Sequence, residues 1–216
     1  YLVDNSKDFL INLAIDFRSN LNVKFIGITG TNGKTSTKEL IVRFLKTKYK
    51  VNYSKGNHNS MTSLPLSILG FDCESDYGIL EMGASKYGEI EKLCKIAKPD
   101  IGLITNISKS HLDGYQDFNS LVTTKMALYE SVKKNRGTFF LNLDDTNIRI
   151  NDKYHDLITY SYSDNKSDYF ADLAKIQDGS LSINDVIFNV KYKSYTFGYN
   201  FLASYSIASS LGVGNS

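Results

Sequence analysis

The chain has few cysteines, no long apolar run and no strong excess of charge, and each absence excludes a class of protein. Its 216 residues include only Cys73 and Cys94. Two isolated cysteines are too few for a disulfide framework or a thiolate metal site, which fits a reducing compartment. No apolar run reaches the roughly 18 residues of a transmembrane helix, so membrane insertion is not predicted. We expect a soluble, cytoplasmic protein.

The charge balance argues against a polyelectrolyte partner. A formal net charge of +2 gives no general attraction to nucleic acid, and no basic cluster supplies a local one. With 42% hydrophobic residues, the chain can bury a core and form one globular domain, or one with an appendage. Because the sequence starts at Tyr1 rather than Met, our expectation is that both ends are cut from a longer protein.

Strand and helix patterns alternate through most of the chain. The predicted strands are 23–29, 77–82, 101–105 and 137–142, and the predicted helices are 6–19, 35–46, 90–97 and 118–132. This alternation predicts an α/β fold, a mostly parallel sheet with helices on both faces. Ligands of such sheets bind beyond the carboxyl ends of the strands.

The pattern changes after about residue 157. Short, Tyr-rich, alternating segments predict a small antiparallel β region over about 158–198, and a closing helix is predicted over about 199–213. We therefore expect one domain over 1–216, with an α/β core over about 1–157.

The stretch FIGITGTNGKTSTKEL, residues 25–40, reads as strand, tight loop and helix. Gly30 and Gly33 permit backbone angles that let successive N–H groups face one anion, and the helix dipole adds to this. Lys34 can reach terminal phosphates, and the Thr35 hydroxyl can bind Mg²⁺, as in a P-loop. The spacing departs from the strict P-loop pattern because Ile28 stands where a glycine is usual. A glycine turn with a solvated lysine is the alternative.

Two polar residues are predicted at the same edge of the sheet. Glu81 ends a strand, where a buried carboxylate is costly unless it pairs with a cation. It is either a second Mg²⁺ ligand or a capping or surface glutamate. His111 follows the strand that ends at Thr105, and it is either a site residue or a structural or solvated histidine.

Lys125 falls within the apolar stripe of the helix predicted from Phe118. Its ammonium can snorkel to solvent, pair with an acid, or be modified. An amine desolvated enough to lose its proton can react with CO₂ to give a carbamate, which is a metal-binding anion.

A series of motifs resembles the central ATPase domain of the Mur ligases, the ATP-dependent amide-forming enzymes of peptidoglycan synthesis. In order, the motifs are GITGTNGKTSTKE, GNHN with LPLSIL, LEMGASKYGEIEKLCKIAKPD, LITNISKSHL, TKMALYE and LNLDD. Their order and spacing match over about residues 20–150. Within the family, TKE and EMGA look most like the branch that joins D-Ala-D-Ala to a UDP-MurNAc-tripeptide.

The resemblance implies ATP and Mg²⁺ as cofactors and assigns roles to individual residues. The implied phosphate loop consists of Gly30, Thr31, Asn32, Gly33, Lys34, Thr35 and Ser36. Lys34 would act on the γ-phosphate, Thr35 and Glu81 on Mg²⁺, and His111 with carbamylated Lys125 on a second metal ion.

Other matched residues would bind the nucleotide or the acceptor substrate. Asn142, Asp144 and Asp145 match the hinge segment near the ribose, and Asn200 matches an adenine contact. Gly56, Asn57 and Asn59 match a loop that faces the UDP-MurNAc-peptide.

The chain departs from the family pattern in two places. Residues 60–64 read SMTSL, where another Asn and a small apolar run ending in Gly are common. Ala203 stands where a second asparagine is common in the closing helix, so that residue's role is vacant.

The resemblance also implies domains beyond this chain. In the family, an N-terminal domain grips the UDP-sugar and a C-terminal domain closes over ATP and receives the amine, and neither fits within these residues. We therefore expect the chain alone to bind Mg·ATP weakly and not to ligate.

The sequence is also compatible with three alternative functions. One is another ligase of the superfamily, such as a sister Mur ligase or folylpolyglutamate synthase. Another is a binding module without catalysis, which the departures at 60–64 and Ala203 motivate. A simple P-loop kinase is a third, disfavoured by the LNLDD segment.

Overall fold

The computed structural model describes residues 2–109, 112–151 and 153–214. Within these ranges the helices are α1 (Ser6–Ser19), α2 (Lys34–Leu45), α3 (Ser63–Leu69), α4 (Glu89–Ala97), α5 (Phe118–Lys134) and α6 (Tyr195–Ser210). The strands are β1 (Lys24–Thr29), β2 (Val51–Tyr53), β3 (Tyr77–Glu81), β4 (Ile101–Ile104), β5 (Thr138–Asn142), β6 (Leu157–Ser161), β7 (Tyr169–Asp172), β8 (Ser180–Ile183) and β9 (Val186–Asn189). None of the helices in these ranges is long and apolar enough to cross a membrane.

The strands form one sheet in the order β2-β3-β1-β4-β5-β6-β7-β8-β9. Neighbours from β2 to β7 pair in parallel, and β8 and β9 add an antiparallel hairpin at the edge. The predicted α/β fold, mostly parallel with antiparallel strands near the C-terminus, is confirmed.

Helices cover both faces of the sheet because its central strands are apolar on both sides. On β1, Phe25 packs into one core with α1, α3, α4 and α5. Ile26 and Ile28 of the same strand pack into the other core with α2 and α6. Side chains that alternate between two buried faces account for the continuous apolar run that marked this strand in the sequence.

Strand order reverses beside β1. The chain passes from β1 to β2 and back to β3 on one side of β1, and then crosses to β4 on its other side. Such a reversal opens a crevice at the carboxyl ends of the strands. The loop between β1 and α2 lies at this crevice.

The structure differs from the sequence expectation at four elements. β6 and β7 still pair in parallel, so the antiparallel part begins only at β8. β2 and α3 were not predicted, since β2 has three residues and α3 contains Pro65. Pro65 is tolerated because it lies in the first helical turn, where N–H groups lack an intrahelical acceptor.

Arg18 joins α1 to the segment that leads from α4 into β4. Its guanidinium donates to the carbonyls of Ala97 at 2.7 Å and Lys98 at 3.2 Å, and it pairs with Asp100 at 3.2 Å. It also lies over the Phe25 ring, 4.0 Å from the centroid. One buried side chain therefore satisfies carbonyls at the end of α4 that the helix itself leaves open.

We expect Arg18→Met to lower the free energy of unfolding by about 2–3 kcal/mol, because two carbonyls lose their side-chain donor and the Asp100 carboxylate loses its cation. Urea unfolding measures this loss. Lys7→Ala on the exposed face of α1 is the matched control, with an expected change within about 0.5 kcal/mol. Equal stability of Arg18→Met and the control would contradict the anchoring role.

Candidate functional site

The loop between β1 and α2 has a geometry that requires glycine at two positions. Gly30 has φ 145° and Gly33 has φ 82°, and Gly33 is the residue from which α2 begins. A Cβ at Gly30 would lie 2.0 Å from the Thr105 hydroxyl oxygen. A Cβ at Gly33 would lie 2.5 Å from Oδ1 of Asn200. Both glycines are thus set by backbone conformation and by close neighbours from β4 and α6.

Asn106, which the sequence reasoning missed, holds this loop. The Thr31 N–H donates to its carbonyl oxygen at 2.8 Å, and the Asn32 N–H donates to its Oδ1 at 3.1 Å. These two N–H groups therefore face Asn106 rather than an anion. The first N–H groups of α2 lack intrahelical acceptors, and such groups are the donors that an anion at a helix amino end would use. Ser36 lies exposed in that first turn.

Lys34 curls back over the loop. Its ammonium donates to the carbonyls of Gly30 at 3.0 Å and Thr31 at 2.9 Å. Burial lowers the pKa of Lys34, and the nearby Glu81 carboxylate partly opposes this. The cation is held at the helix amino end, where an anion would bind.

Lys125 reaches the same carbonyl from α5. Its Nζ donates to Gly30 O at 2.9 Å, and the residue is only 5% exposed, so the ammonium does not snorkel to solvent. Burial, with a smaller contribution from Lys34, lowers the pKa of Lys125 to about 8. Two ammonium groups thus share one acceptor, and near neutral pH the neutral form of Lys125 is more populated than that of an ordinary lysine.

Glu81 lies buried between Thr35 and Asn59. Oε2 accepts from the Thr35 hydroxyl at 2.8 Å, and Oε1 accepts from the Asn59 amide at 2.8 Å. The structure therefore brings together the hydroxyl and the carboxylate that were predicted as Mg²⁺ ligands. A carboxylate and a hydroxyl are hard oxygen donors, which are the ligands that Mg²⁺ prefers.

The predicted second metal site depends on His111 and on a carbamate at Lys125. In 2–109, 112–151 and 153–214 no group of three or more His, Cys, Asp or Glu side chains could hold a metal ion. His111, the predicted ligand of a second ion, lies outside the described residues.

A cleft of about 700 Å³ opens on the β4–β5 side of the loop. Its walls come from the phosphate loop, the ends of β4 and β5, and α6. The lining includes Asn32, Gly33, Thr105, Asn106, Asn142, Asp144, Asp145, Tyr160, Tyr199, Asn200 and Ala203. The volume is within the range of small-molecule sites.

The predicted nucleotide-contacting acids line this cleft but also hold its walls. Asp144 accepts hydrogen bonds from the Ser161 hydroxyl at 2.7 Å and the Tyr162 N–H at 2.8 Å. Asp145 accepts from the Ile107 N–H at 2.6 Å. Asn142 donates to the Thr105 carbonyl at 3.1 Å. These contacts tie the loop after β5 to the strands on either side.

Lys38 is a second residue that the sequence reasoning missed. It is fully buried, and its Nζ donates to the carbonyls of Ser54 at 2.6 Å and Gly56 at 3.0 Å. Lys38 shares the buried stripe of α2 with Ile41, Val42 and Leu45. The reasoning that identified a charged residue in the stripe of α5 therefore also applied to α2.

The predicted substrate loop lies beside this lysine. Gly56 and Asn57 are exposed, whereas Asn59 contacts Glu81 as described above. The structure thus places the loop next to the phosphate loop, on the side away from the large cleft.

We expect Gly33→Ala to abolish nucleotide binding, since the added Cβ collides with Asn200 and the left-handed φ strains any L side chain. Isothermal titration with Mg·ATP, performed on the longest protein that contains this domain, measures the loss. Gly214→Ala, where a Cβ meets no atom within 4 Å, is the control and keeps wild-type affinity. Undiminished binding by Gly33→Ala would show that the loop tolerates this displacement.

The lowered pKa of Lys125 predicts that the stability of the protein depends on pH. Its folded-state pKa of about 8 lies below the unfolded value, so the unfolded chain binds more protons between about pH 8 and 10.5. In CO₂-free buffer, the stability of wild type relative to Lys125→Met should therefore rise by about 2–3 kcal/mol across that window. Urea unfolding at several pH values measures it. A constant difference would mean that Lys125 keeps an ordinary pKa.

Most of the chain matches a known protein family. Residues 28–213 match the family model described as the Mur ligase middle domain. The UDP-N-acetylmuramoyl-tripeptide–D-alanyl-D-alanine ligase of Bacillus subtilis is 37% identical over 133 residues, which cover 62% of this chain and 29% of that protein. The ligase of the same name from Rickettsia prowazekii is 37% identical over 134 residues, covering 62% of this chain and 30% of that protein.

Solved structures share the fold over nearly the whole chain. MurF from Acinetobacter baumannii superposes with a TM-score of 0.88 at 24% identity, covering 99% of this chain and 48% of that one. MurF ligase from Thermotoga maritima in complex with ADP has a TM-score of 0.84 at 29% identity, covering 99% and 51%. The chain spans about half the length of these solved relatives. It belongs to the Mur ligase family, and its matched part is the middle domain.

Proposed function

We propose that the protein containing this domain is an ATP-dependent ligase of peptidoglycan precursor synthesis that joins D-Ala-D-Ala to a UDP-MurNAc-tripeptide. The observation that carries the proposal is the convergence of Lys34, Thr35, Glu81 and Lys125 on one loop at the carboxyl edge of the sheet. The names of its curated relatives support the choice of substrates. Because the reaction consumes ATP, we assign it to the cytoplasm.

The nucleotide would lie across the crevice beside β1. Its phosphates would contact the N–H groups at the start of α2 and the Lys34 ammonium. Lys34 would then release the Gly30 and Thr31 carbonyls and bind the phosphates instead. The ribose and base would extend into the 700 Å³ cleft, toward Asn142 and Asn200. The ammonium groups of Lys34 and Lys125 beside the loop support this placement of the phosphates.

Thr35 and Glu81 would hold Mg²⁺ together with phosphate oxygens. A bound Mg²⁺ ion supplies charge neutralisation for the transferring phosphoryl group and orients it. The buried position of Glu81 fits this role. Its carboxylate accepts hydrogen bonds from the side chains of Thr35 and Asn59, and a cation would stabilise its negative charge.

The reaction proceeds in two steps. A carboxylate oxygen of the UDP-linked peptide attacks the γ-phosphorus, ADP leaves, and an acyl phosphate forms. The amine of D-Ala-D-Ala then attacks the carbonyl carbon, phosphate leaves and the amine loses a proton, giving an amide. The first step brings two anions together, and Lys34 opposes their repulsion.

Lys125 would act as a carbamate. Its lowered pKa, about 8, supplies the neutral amine that attacks CO₂, forming an N–C bond and releasing a proton. The product is an anion in a site that otherwise holds two cations, Lys34 and Lys125. Together with His111 it would bind a second metal ion.

Domains outside this chain would complete the enzyme. One would bind the UDP-sugar, and another would close over ATP and deliver the amine. The chain alone would then bind Mg·ATP weakly and form no amide bond.

An assay of the full-length protein tests the proposal. With UDP-MurNAc-tripeptide, D-Ala-D-Ala and Mg·ATP, we expect one ADP and one amide product per turnover, and a loss of at least about 100-fold in kcat/KM for Lys34→Ala. The exposed Lys24→Ala is the control, with unchanged kinetics. Mass spectrometry identifies the product.

Two outcomes would contradict the proposal. ADP release without amide formation, or amide formation with a folate in place of the muramoyl peptide, would favour another member of the superfamily. Ligation by residues 1–216 alone would overturn the need for further domains.

A further inference from the structure

Lys38 lies on α2, one helical turn beyond Lys34, and its side chain has no exposed surface. The ammonium donates to Ser54 O at 2.6 Å and Gly56 O at 3.0 Å, and it pairs with Glu39 Oε1 at 3.2 Å. The ammonium thus donates two hydrogen bonds to backbone carbonyls and lies beside one carboxylate oxygen. The ammonium is held in one position.

An apolar side chain would fill this position at lower cost. Burying an ammonium loses its hydration, and two neutral carbonyls with a partly exposed carboxylate return only part of that free energy. The neighbours of Lys38 on the same stripe, Ile41 and Val42, are apolar and buried. The charge at position 38 is therefore best explained by the backbone carbonyls to which its ammonium donates.

The donors hold the segment 54–59, here called the β2 loop. This loop follows β2, and its other contacts lead to Glu81: the Glu81 N–H donates to the Ser54 hydroxyl at 3.1 Å, and the Asn59 amide donates to the Glu81 carboxylate at 2.8 Å. Thr35, on α2, donates to the same carboxylate. Lys38 and Thr35 thus link α2 to the two ends of one loop.

The position of the β2 loop along the sheet edge indicates which substrate it borders. The strand order β2-β3-β1-β4-β5 places the phosphate loop after β1 and the large cleft at β4 and β5. The β2 loop lies on the opposite side of the phosphate loop. If the base occupies the cleft, the group that accepts the terminal phosphoryl comes from this opposite side, where Gly56, Asn57 and His58 are exposed.

We propose that Lys38 is a positioning residue that fixes the β2 loop relative to the phosphate loop, and so sets the affinity for the acceptor substrate but not for ATP. The inference rests on the proposed function, since the acceptor is the carboxylate of the UDP-linked peptide. Lys38 itself touches neither substrate and acts through the Ser54 and Gly56 carbonyls.

Steady-state kinetics of the full-length enzyme test the inference. For Lys38→Met, which keeps the length of the side chain and removes its donors, we expect KM for the UDP-MurNAc-tripeptide to rise about tenfold or more, and KM for ATP to change less than about twofold. Lys38→Gln, with two amide donors, should give an intermediate KM for the peptide. Arg43→Met removes an exposed cation from the same helix and should change neither KM.

Hydrogen exchange adds a readout that does not depend on turnover. Exchange of the backbone amides at 54–59 should speed up in Lys38→Met and stay at the wild-type rate in Arg43→Met, because Lys38 donates to two carbonyls of the loop whereas Arg43 is an exposed residue of α2.

The possible failures are distinguishable. Equal changes in both KM values, or lower thermal stability with both KM values unchanged, would make Lys38 a purely structural residue and overturn the inference while the proposed function stands. If neither Lys38→Met nor Lys38→Gln folds, the inference is likewise rejected. A wild-type enzyme without ligase activity on these substrates would overturn the proposed function and the inference together.

Discussion

Burial of charge at one edge of the sheet is the constraint on which the site depends. Lys34, Lys38 and Lys125 surround the phosphate loop and the β2 loop, and the buried carboxylate of Glu81 lies beside them. Each charge is stabilised by a group from another element, so none of these positions can be understood from its own helix or strand. In the proposed function, the negative charge of a triphosphate would offset the positive charge of these lysines.

The Gly30 carbonyl shows how the fold concentrates these charges. This carbonyl follows β1 at the crevice. It accepts hydrogen bonds from Lys34 of α2 and from Lys125 of α5. Two cations that share one acceptor destabilise each other, and the lowered pKa of Lys125 reflects this together with burial. A group poised in this way is suited to chemistry that its ordinary, fully protonated form does not allow.

The two sides of the phosphate loop are formed by different kinds of residues. Toward β4 and β5, a large cleft is lined by amides, acids and tyrosines, and its walls are tied by Asp144 and Asp145. Toward β2, a short exposed loop is tied by Lys38 and by the Glu81 carboxylate. In the proposed function, this division would let two substrates approach the same phosphoryl group from opposite sides, with Thr35 and Glu81 between them.

The sequence by itself determined the parallel α/β core, because strands such as β1 and β3 are apolar on both faces and alternate with amphipathic helices. It also determined the phosphate loop and the inward-facing Lys125, since glycine spacing and helical period are local properties. It did not reveal β2 and α3, which are too short for a periodic signal. Nor did it reveal that β6 and β7 join the parallel sheet, because strand direction depends on how the connection crosses the sheet.

Only the tertiary structure decided which polar groups meet. The partners of Glu81 come from positions 22 and 46 residues away in the chain, and Asn200 reaches Gly33 from the last helix. No local pattern encodes such distances. Lys38 was visible as a charge in an apolar stripe, yet its acceptors are the carbonyls of Ser54 and Gly56, which every residue possesses. Backbone acceptors carry no side-chain signature, so the fold alone placed them there.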